Sequence, residues 1–316
     1  MTEWLATTSR AVEAATLAPS SHNTQPWGFR VRGDTVDLCA DRTRALPVND
    51  PFDRELTISC GAALTNLVVA ARASGLEPEV ELLPEPDDTD LLARVVLRAG
   101  RGRADQEPAA AIPARHTHRW QFAVGPSAGT LARMAGACAD LGVTCHVVAD
   151  EADRATLAHL VAAGDRVQFA DLSRRRELAA WMHARRCGDG LTVPPVAGAL
   201  TRFVVSHVDV GERTASRDEE LTRRAPAVVV LATDGDDTRD WLTAGRALER
   251  ALLEAAGAGV QAGWANQPCQ VAALRPRLRE ALGIPGHPQV VLRLGVPARR
   301  PRAAPRRPLA DVWTAA

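Results

Sequence analysis

The sequence predicts an α+β protein in which two related halves are fused in one chain, with mainly antiparallel sheets flanked by helices. Three observations carry that reading. Residues 61–76 (GAALTNLVVAARASGL) match residues 245–260 (GRALERALLEAAGAGV), with Gly61 and Gly75 aligned on Gly245 and Gly259. Each segment is followed by a strand with nearly the same ending, VVLRAG at 95–100 and VVLRLG at 290–295. Two further strands, at 27–32 and 35–40, meet at Arg32-Gly33-Asp34, a hairpin signal. At 316 residues and 33.7 kDa the chain has room for one large domain or two.

Each element has a local reason. The opening helix stops at Pro19, a polar loop follows, and Trp27 opens the first strand. In the repeated segments, Ala63, Leu64, Val68 and Val69 align with Ala247, Leu248, Leu252 and Leu253 at helical spacing, and each helix is ended by its glycine. Residues 99–113, rich in Arg, Ala, Gly and Pro, read as a linker, so the halves are placed at 1–110 and 111–316. The second half continues as helix 127–141, strand 143–148, helix 151–169 and strand 226–232. Residues 181–213, with Trp181, Cys187-Gly188-Asp189-Gly190 and Pro194-Pro195, fit no clean period and are expected to form a functional loop or lid.

Composition removes several chemistries. All 38 Lys+Arg residues are arginine, and there is no tyrosine. A Walker-A loop, a Schiff-base lysine, a kinase strand lysine and a Tyr-Lys dehydrogenase pair are therefore excluded, although a GC-rich coding bias accounts for the bias itself. The 38 acidic residues leave a net charge of +0, a poor match for nucleic acid or an anionic membrane. The first twenty residues carry no unbroken apolar stretch, and no signal peptide is expected, which points to the cytoplasm. The six cysteines show no C-x-x-C and read as reduced thiols, several of them buried, and the scattered histidines give no metal site.

Three stretches carry candidate chemistry. Residues 18–30 read APSSHNTQPWGFR: taken alone, this is either a capped helix end and turn or a polar surround for a heteroaromatic ring. Arg115-His116-Thr117-His118-Arg119 could grip a phosphate through paired guanidinium donors and a hydroxyl, or be a solvated basic turn. The tail places Arg299, Arg300, Arg302, Arg306 and Arg307 within nine residues, which suits either a polyanion or a solvated end. No G-x-G-x-x-G turn is present for a resident dinucleotide.

Together these stretches resemble the nitroreductase-like FMN-binding family. The first is similar to its P-S-S-x-N-x-Q-P-W-x-F signature, the second to its R-x-[ST]-x-[RK]-x-x-F element (here Arg115 to Phe122), and 304–312 to its carboxy-terminal basic-Pro-Leu segment. The loop lies in the first half and the phosphate element in the second, an arrangement that resembles the fused, single-chain, Acg-like branch of actinobacteria. Similarity to that branch extends to residues 41–51, 54–61 and 264–267.

The resemblance implies FMN, with its phosphate on Arg115, Thr117, Arg119, Arg306 and Arg307. It implies that Pro19, Ser20, Ser21, Asn23 and Gln25 border the flavin ring, and that the 261–264 loop with Gly263 and Trp264 passes near its N5. The implied activity is an FMN-dependent oxidoreductase: NAD(P)H visits as hydride donor, and a nitroaromatic, quinone or similar small molecule accepts two electrons by ping-pong kinetics. No side-chain acid is obligatory. The alternative is a lid-covered flavin-binding or sequestering protein with little or no reductase activity. The expected assembly is a monomeric pseudo-dimer or a weak homo-oligomer.

Overall fold

The alternation of apolar and polar residues in the hairpin is realised as two antiparallel strands, β1 (Trp27–Arg32) and β2 (Thr35–Ala40), with Trp27, Phe29 and Val31 turned inward. In the computed structural model, which describes residues 3–100, 102, 104–183, 188–193, 198–299 and 301–315, this hairpin follows α1 (Glu3–Thr16). Next come α2 (Arg54–Ala73), β3 (Leu76–Leu82) and β4 (Leu91–Ala99). Beyond α3 (Gln106–Ala111), the chain forms α4 (Ala128–Ala139), β5 (Thr144–Val147), α5 (Glu151–Ala170) and α6 (Leu172–Ala180). There follow two short strands, β6 (Met182–His183) and β7 (Leu191–Thr192), and two helices, α7 (Gly198–His207) and α8 (Gly211–Arg223). The remaining elements are β8 (Ala227–Thr233), α9 (Thr238–Gly257), β9 (Gln261–Trp264), α10 (Gln267–Gln270), α11 (Arg275–Ala281), β10 (His287–Gly295) and β11 (Trp313–Ala315).

The two main sheets share one strand order. The first runs β1-β2-β4-β3 and the second β5-β8-β10-β9, antiparallel throughout, with α2 and α9 inserted at the same point of the chain path. The C-terminal β11 then adds to the edge of the first sheet, parallel to β1, pairing Phe29 with Trp313. Its neighbour Val312 joins the first core beside Trp27 and Phe29. The end of the chain is thereby fastened across the half that begins it.

The aligned glycines mark where α2 and α9 cross. A Cβ on Gly61 would collide with the Leu242 carbonyl oxygen, and a Cβ on Gly245 with the carbonyl of Ile58, so the helices touch backbone to backbone. Gly75 and Gly259 have φ of +84° and +75°, as the left-handed residue after a helix requires. Helix α2 is long and apolar enough to cross a membrane by length and composition, but most of that stretch is buried inside the protein.

The halves differ in thickness. One face of β8 (Ala227, Val229, Leu231) packs with α4 and α9, while the other (Val228, Val230, Ala232) packs with α5 and α11. Two-sided burial explains why AVVVLA is an unbroken apolar run. The segment 99–113, expected as a linker, instead contains α3 and a 3-10 turn at Ile112–Ala114. Ala111 and Ile112 pack with Val69, Leu253 and Ala256, because a run of small apolar residues suits a helix as well as a connection. Likewise 181–213 is not all loop: α7 and the start of α8 lie within it, and Cys187, Pro194 and Pro195 fall outside the described residues, as does Arg300. Cys60, Cys138 and Cys269 are buried thiols as expected, whereas Cys39 and Cys145 are only partly so.

Candidate active site

A cleft of about 270 Å³ opens where the loop after α1, the start of α2, the segment before α4 and the tail before β11 converge. Pro19, Ser20, Ser21 and Asn23 line it from the first half, and Arg115, Thr117, Arg119, Trp264 and Arg306 from the second. Nine of the twelve residues singled out in the sequence are thus brought together. The other three are near but outside: Arg307, Gln25 and Gly263 do not line the cleft.

The geometry explains each exception. Arg307 spends its guanidinium on the first half and on its own tail, donating to the carbonyls of Gln25 (3.1 Å), Trp27 (3.3 Å) and Asp311 (2.7 Å) and pairing with Asp41 at 3.3 Å. Gln25 is fully buried, with its amide donating to the Gly188 carbonyl at 2.7 Å and its side-chain oxygen accepting from the Arg307 backbone at 2.9 Å. Gly263 lacks a side chain because the His118 carbonyl and the Arg293 guanidinium occupy the space where a Cβ would stand. All three hold the walls in place. Conversely Arg302, which the family motif does not include, lines the cleft.

The basic side of the cleft is built around a buried ion cluster. Arg115 and Arg306 both donate to the Leu17 carbonyl, at 2.8 and 2.9 Å, at the C-terminal side of α1. Behind them Glu249, fully buried on α9, sits 3.4 Å from Arg115 Nε without hydrogen-bond geometry. Burial pushes the Glu249 carboxyl up to about 7, against the pull of Arg115. Burial, and then Arg115, lower the Arg306 guanidinium to about 9, which leaves it charged at neutral pH. Nε of Arg115 faces Glu249 alone, and Nε of Arg306 is buried without a hydrogen-bond partner among the described residues. Arg119 and Arg302 make no side-chain hydrogen bond or ion pair among the described residues, so the cleft holds more positive charge than the protein itself neutralises.

The opposite polarity gathers around Glu55 at the start of α2. Its buried carboxylate accepts from Ser21 Oγ (2.6 Å), Asn266 Nδ2 (3.1 Å) and Gln270 Nε2 (2.9 Å). Glu55, Asn266 and Gln270 all line the cleft and were not singled out as site residues, although Glu55 and Asn266 lie in stretches that carry the family resemblance. Between the two polar groups His22 stands at φ +50°, with Nδ1 unpartnered and its pKa lowered by burial, so its ring is neutral at pH 7. Ile58, Leu248 and Val290 supply apolar wall. The phosphate-motif segment is clamped to β9: Gln261 Oε1 accepts from the His116 backbone at 2.6 Å, and Trp264 Nε1 donates to Thr117 Oγ1 at 3.2 Å.

Described residues of the 181–213 segment reach this site. Gly190 exchanges hydrogen bonds with Asn23: its backbone N–H donates to the Asn23 carbonyl at 3.1 Å, and its carbonyl accepts from Asn23 Nδ2 at 3.2 Å. Asp189 pairs with Arg44 and stands 3.3 Å from His183 Nε2, while Arg44 also stacks on Trp181. Leu191 lines the cleft. Asn23 therefore cross-links three segments, since its Oδ1 also accepts from Arg306 at 3.1 Å.

The chain sets a loop of P-S-S-x-N-x-Q-P-W type beside a cleft with surplus arginines and an apolar wall, and comparison with known proteins gives its class. Residues 146–296 match the nitroreductase family. A protein of Mycobacterium tuberculosis (strain ATCC 25618 / H37Rv), "Putative NAD(P)H nitroreductase Rv3131", is 33% identical over 315 residues, covering 94% of this chain and 88% of its own length. From the same organism, "Putative NAD(P)H nitroreductase acg" is 30% identical over 319 residues, covering 96% of this chain and 94% of its own length. Among solved structures, an FMN- and NADPH-dependent nitroreductase, NfnB from a Sphigopyxis strain, superposes with a TM-score of 0.43 at 17% identity, over 65% of this chain and 96% of that one. The chain belongs to the nitroreductase family and resembles its Acg-like members over nearly its whole length.

Proposed function

We propose that the cleft holds FMN and that the protein is an FMN-dependent oxidoreductase which takes hydride from NAD(P)H and passes two electrons to a small acceptor, such as a nitroaromatic or a quinone. The observation that carries this reading is the unneutralised charge at one site: Arg119 and Arg302, without side-chain partners among the described residues, beside Arg115 and Arg306. A dianionic phosphate supplies the acceptors those donors lack, and Thr117 Oγ adds a hydroxyl. The fit extends to the ring: Pro19, Ser20, Ser21, Ile58, Leu248 and Trp264 offer the mixed apolar and polar surround that a tricyclic heteroaromatic needs. When bound, the flavin supplies reversible two-electron chemistry that no side chain here can supply.

The chain's own residues bind, orient and exclude. Arg115, Thr117, Arg119, Arg302 and Arg306 fix the phosphate, with Arg115 and Arg306 held in place by the Leu17 carbonyl. Ser21, locked by its bond to Glu55, fixes the loop on the ring side. The Gly188–Leu191 segment limits the access of bulk water and of large acceptors.

We also infer that the chain arose by duplication, a reading supported by the shared strand order of the two sheets and by the reciprocal glycines of the α2–α9 crossing. One flavin site per chain follows, because only the first half carries the loop and only the second the arginine motif. Protein purified in the presence of FMN is expected to carry one equivalent per chain, read from flavin absorbance against protein mass. Two equivalents, or none, would overturn the single-site reading.

A further inference from the structure

A second cleft, of about 330 Å³, lies between α2, α9, β3 and the C-terminal end of α4. The repeat that sets Gly61 against Gly245 sets Thr65 against Glu249, Arg250 against Asn66 and Val80 against Trp264. Of its lining residues within the repeat only Val80 has a counterpart, Trp264, that lines the first cleft, so the second cleft is a separate site.

Its lining is distinctive. Arg246 and Arg250 project from consecutive turns of α9, an arrangement of like charges that a helix tolerates only at a cost. Neither makes a side-chain hydrogen bond or an ion pair among the described residues. Arg72 joins them from α2, tied only loosely to Glu77 at 3.9 Å and Asp105 at 3.6 Å. One carboxylate, Asp140, is present in the lining, but it pairs with none of the three. Val68, Pro78, Val80 and Leu141 supply apolar wall.

We propose that this second cleft binds a small organic phosphate with an apolar or aromatic body. The phosphate would lie across Arg72, Arg246 and Arg250, where guanidinium pairs match its oxygens, and the body would lie against the valine and leucine wall. The charge on Arg246 is disfavoured by burial and then by Arg250 and Arg72, so an arriving anion relieves a repulsion already present. A phosphate without an apolar body would leave that wall uncovered, which is why the ligand class is organic. The inference stands on this cleft alone and does not depend on flavin in the first.

The test is calorimetric titration of phenyl phosphate into full-length FMN-loaded protein, freed of excess flavin by gel filtration, in low-salt buffer. Saturable binding is expected, weakened at least about tenfold by Arg246→Gln with Arg250→Gln, and tighter than that of inorganic phosphate. A second measurement needs no variant: phenyl phosphate should protect Arg246 and Arg250 from phenylglyoxal labelling, read by peptide mass spectrometry. No binding by the native protein, equal affinity in the double variant, or labelling unaffected by ligand would each overturn the site. Inorganic phosphate binding as tightly as phenyl phosphate would overturn the organic ligand class.

Discussion

Arg119 and Arg307 look alike in sequence, each a basic residue in a family phosphate motif, yet the structure gives them different work. Arg119 lines the first cleft with no partner among the described residues, whereas Arg307 is fully spent on Gln25, Trp27, Asp41 and Asp311. Replacing Arg119 by Gln should therefore remove a charge-assisted contact to the phosphate, worth about 1.5–3 kcal/mol, and weaken FMN roughly 10- to 150-fold. The fold should hold, because no protein contact is lost. Arg307→Gln should do the reverse. It deprives three backbone carbonyls of a donor and breaks the pair with Asp41, costing about 2–4 kcal/mol of stability and several degrees in melting temperature. Flavin affinity should fall only as far as the displaced tail carries Arg306 with it. The assays are quenching of FMN fluorescence by apoprotein and thermal unfolding of the same apoproteins. An Arg119→Gln affinity within about threefold of native, or an Arg307→Gln protein of native stability that has lost FMN, would refute the assignment.

Two further outcomes follow from packing and burial. Gly245→Ala should destabilise by about 2–4 kcal/mol, since its methyl meets the Ile58 backbone rather than a movable side chain, while Gly257→Ala, with open space at its Cβ, should be neutral or stabilising; thermal unfolding decides. Asp165 is buried and shares the Gln267 amide with Asp218, and burial first, then Asp218, raises its pKa to about 7. A carboxyl raised above its unfolded value is stabilising while protonated. Stability should fall as pH rises from about 4 to about 7, where the unfolded chain has already ionised, and stay low above. Asp165→Asn should flatten that slope and gain roughly 1–3 kcal/mol at pH 8, and an unchanged urea-unfolding profile across this range would exclude the effect.

Much of the fold was legible because its strongest signals are local. The helix periods of α2 and α9, the glycines that end them and the Arg32-Gly33-Asp34 turn require no tertiary knowledge. Gly61 and Gly245 read in the sequence only as repeat markers, and their role at the helix crossing appears once two distant helices meet. The 99–113 segment was misread because alanine-rich sequence serves a connection and a packed helix equally well. Within the site, motif matching found the loop and Arg115, Thr117 and Arg119, but could not tell Arg306 from Arg307. The chain direction after Pro305 decides which guanidinium enters the cleft, and that depends on β11 pairing with β1. Glu55 and Gln270 were missed for a related reason: each is an ordinary helical residue until Ser21 and Asn266 converge on the same carboxylate.

The proposed activity requires flavin in the first cleft to exchange electrons with a nicotinamide on one side of its cycle and an acceptor on the other. Anaerobic mixing of the FMN-loaded protein with NADPH or NADH, followed by a nitroaromatic or quinone, measures this directly. Loss of the flavin absorbance on the first addition, and its return on the second, is the predicted result. Flavin that dithionite bleaches but neither nicotinamide reduces would contradict it, and would make the Gly188–Leu191 segment a permanent cover over a sequestered cofactor.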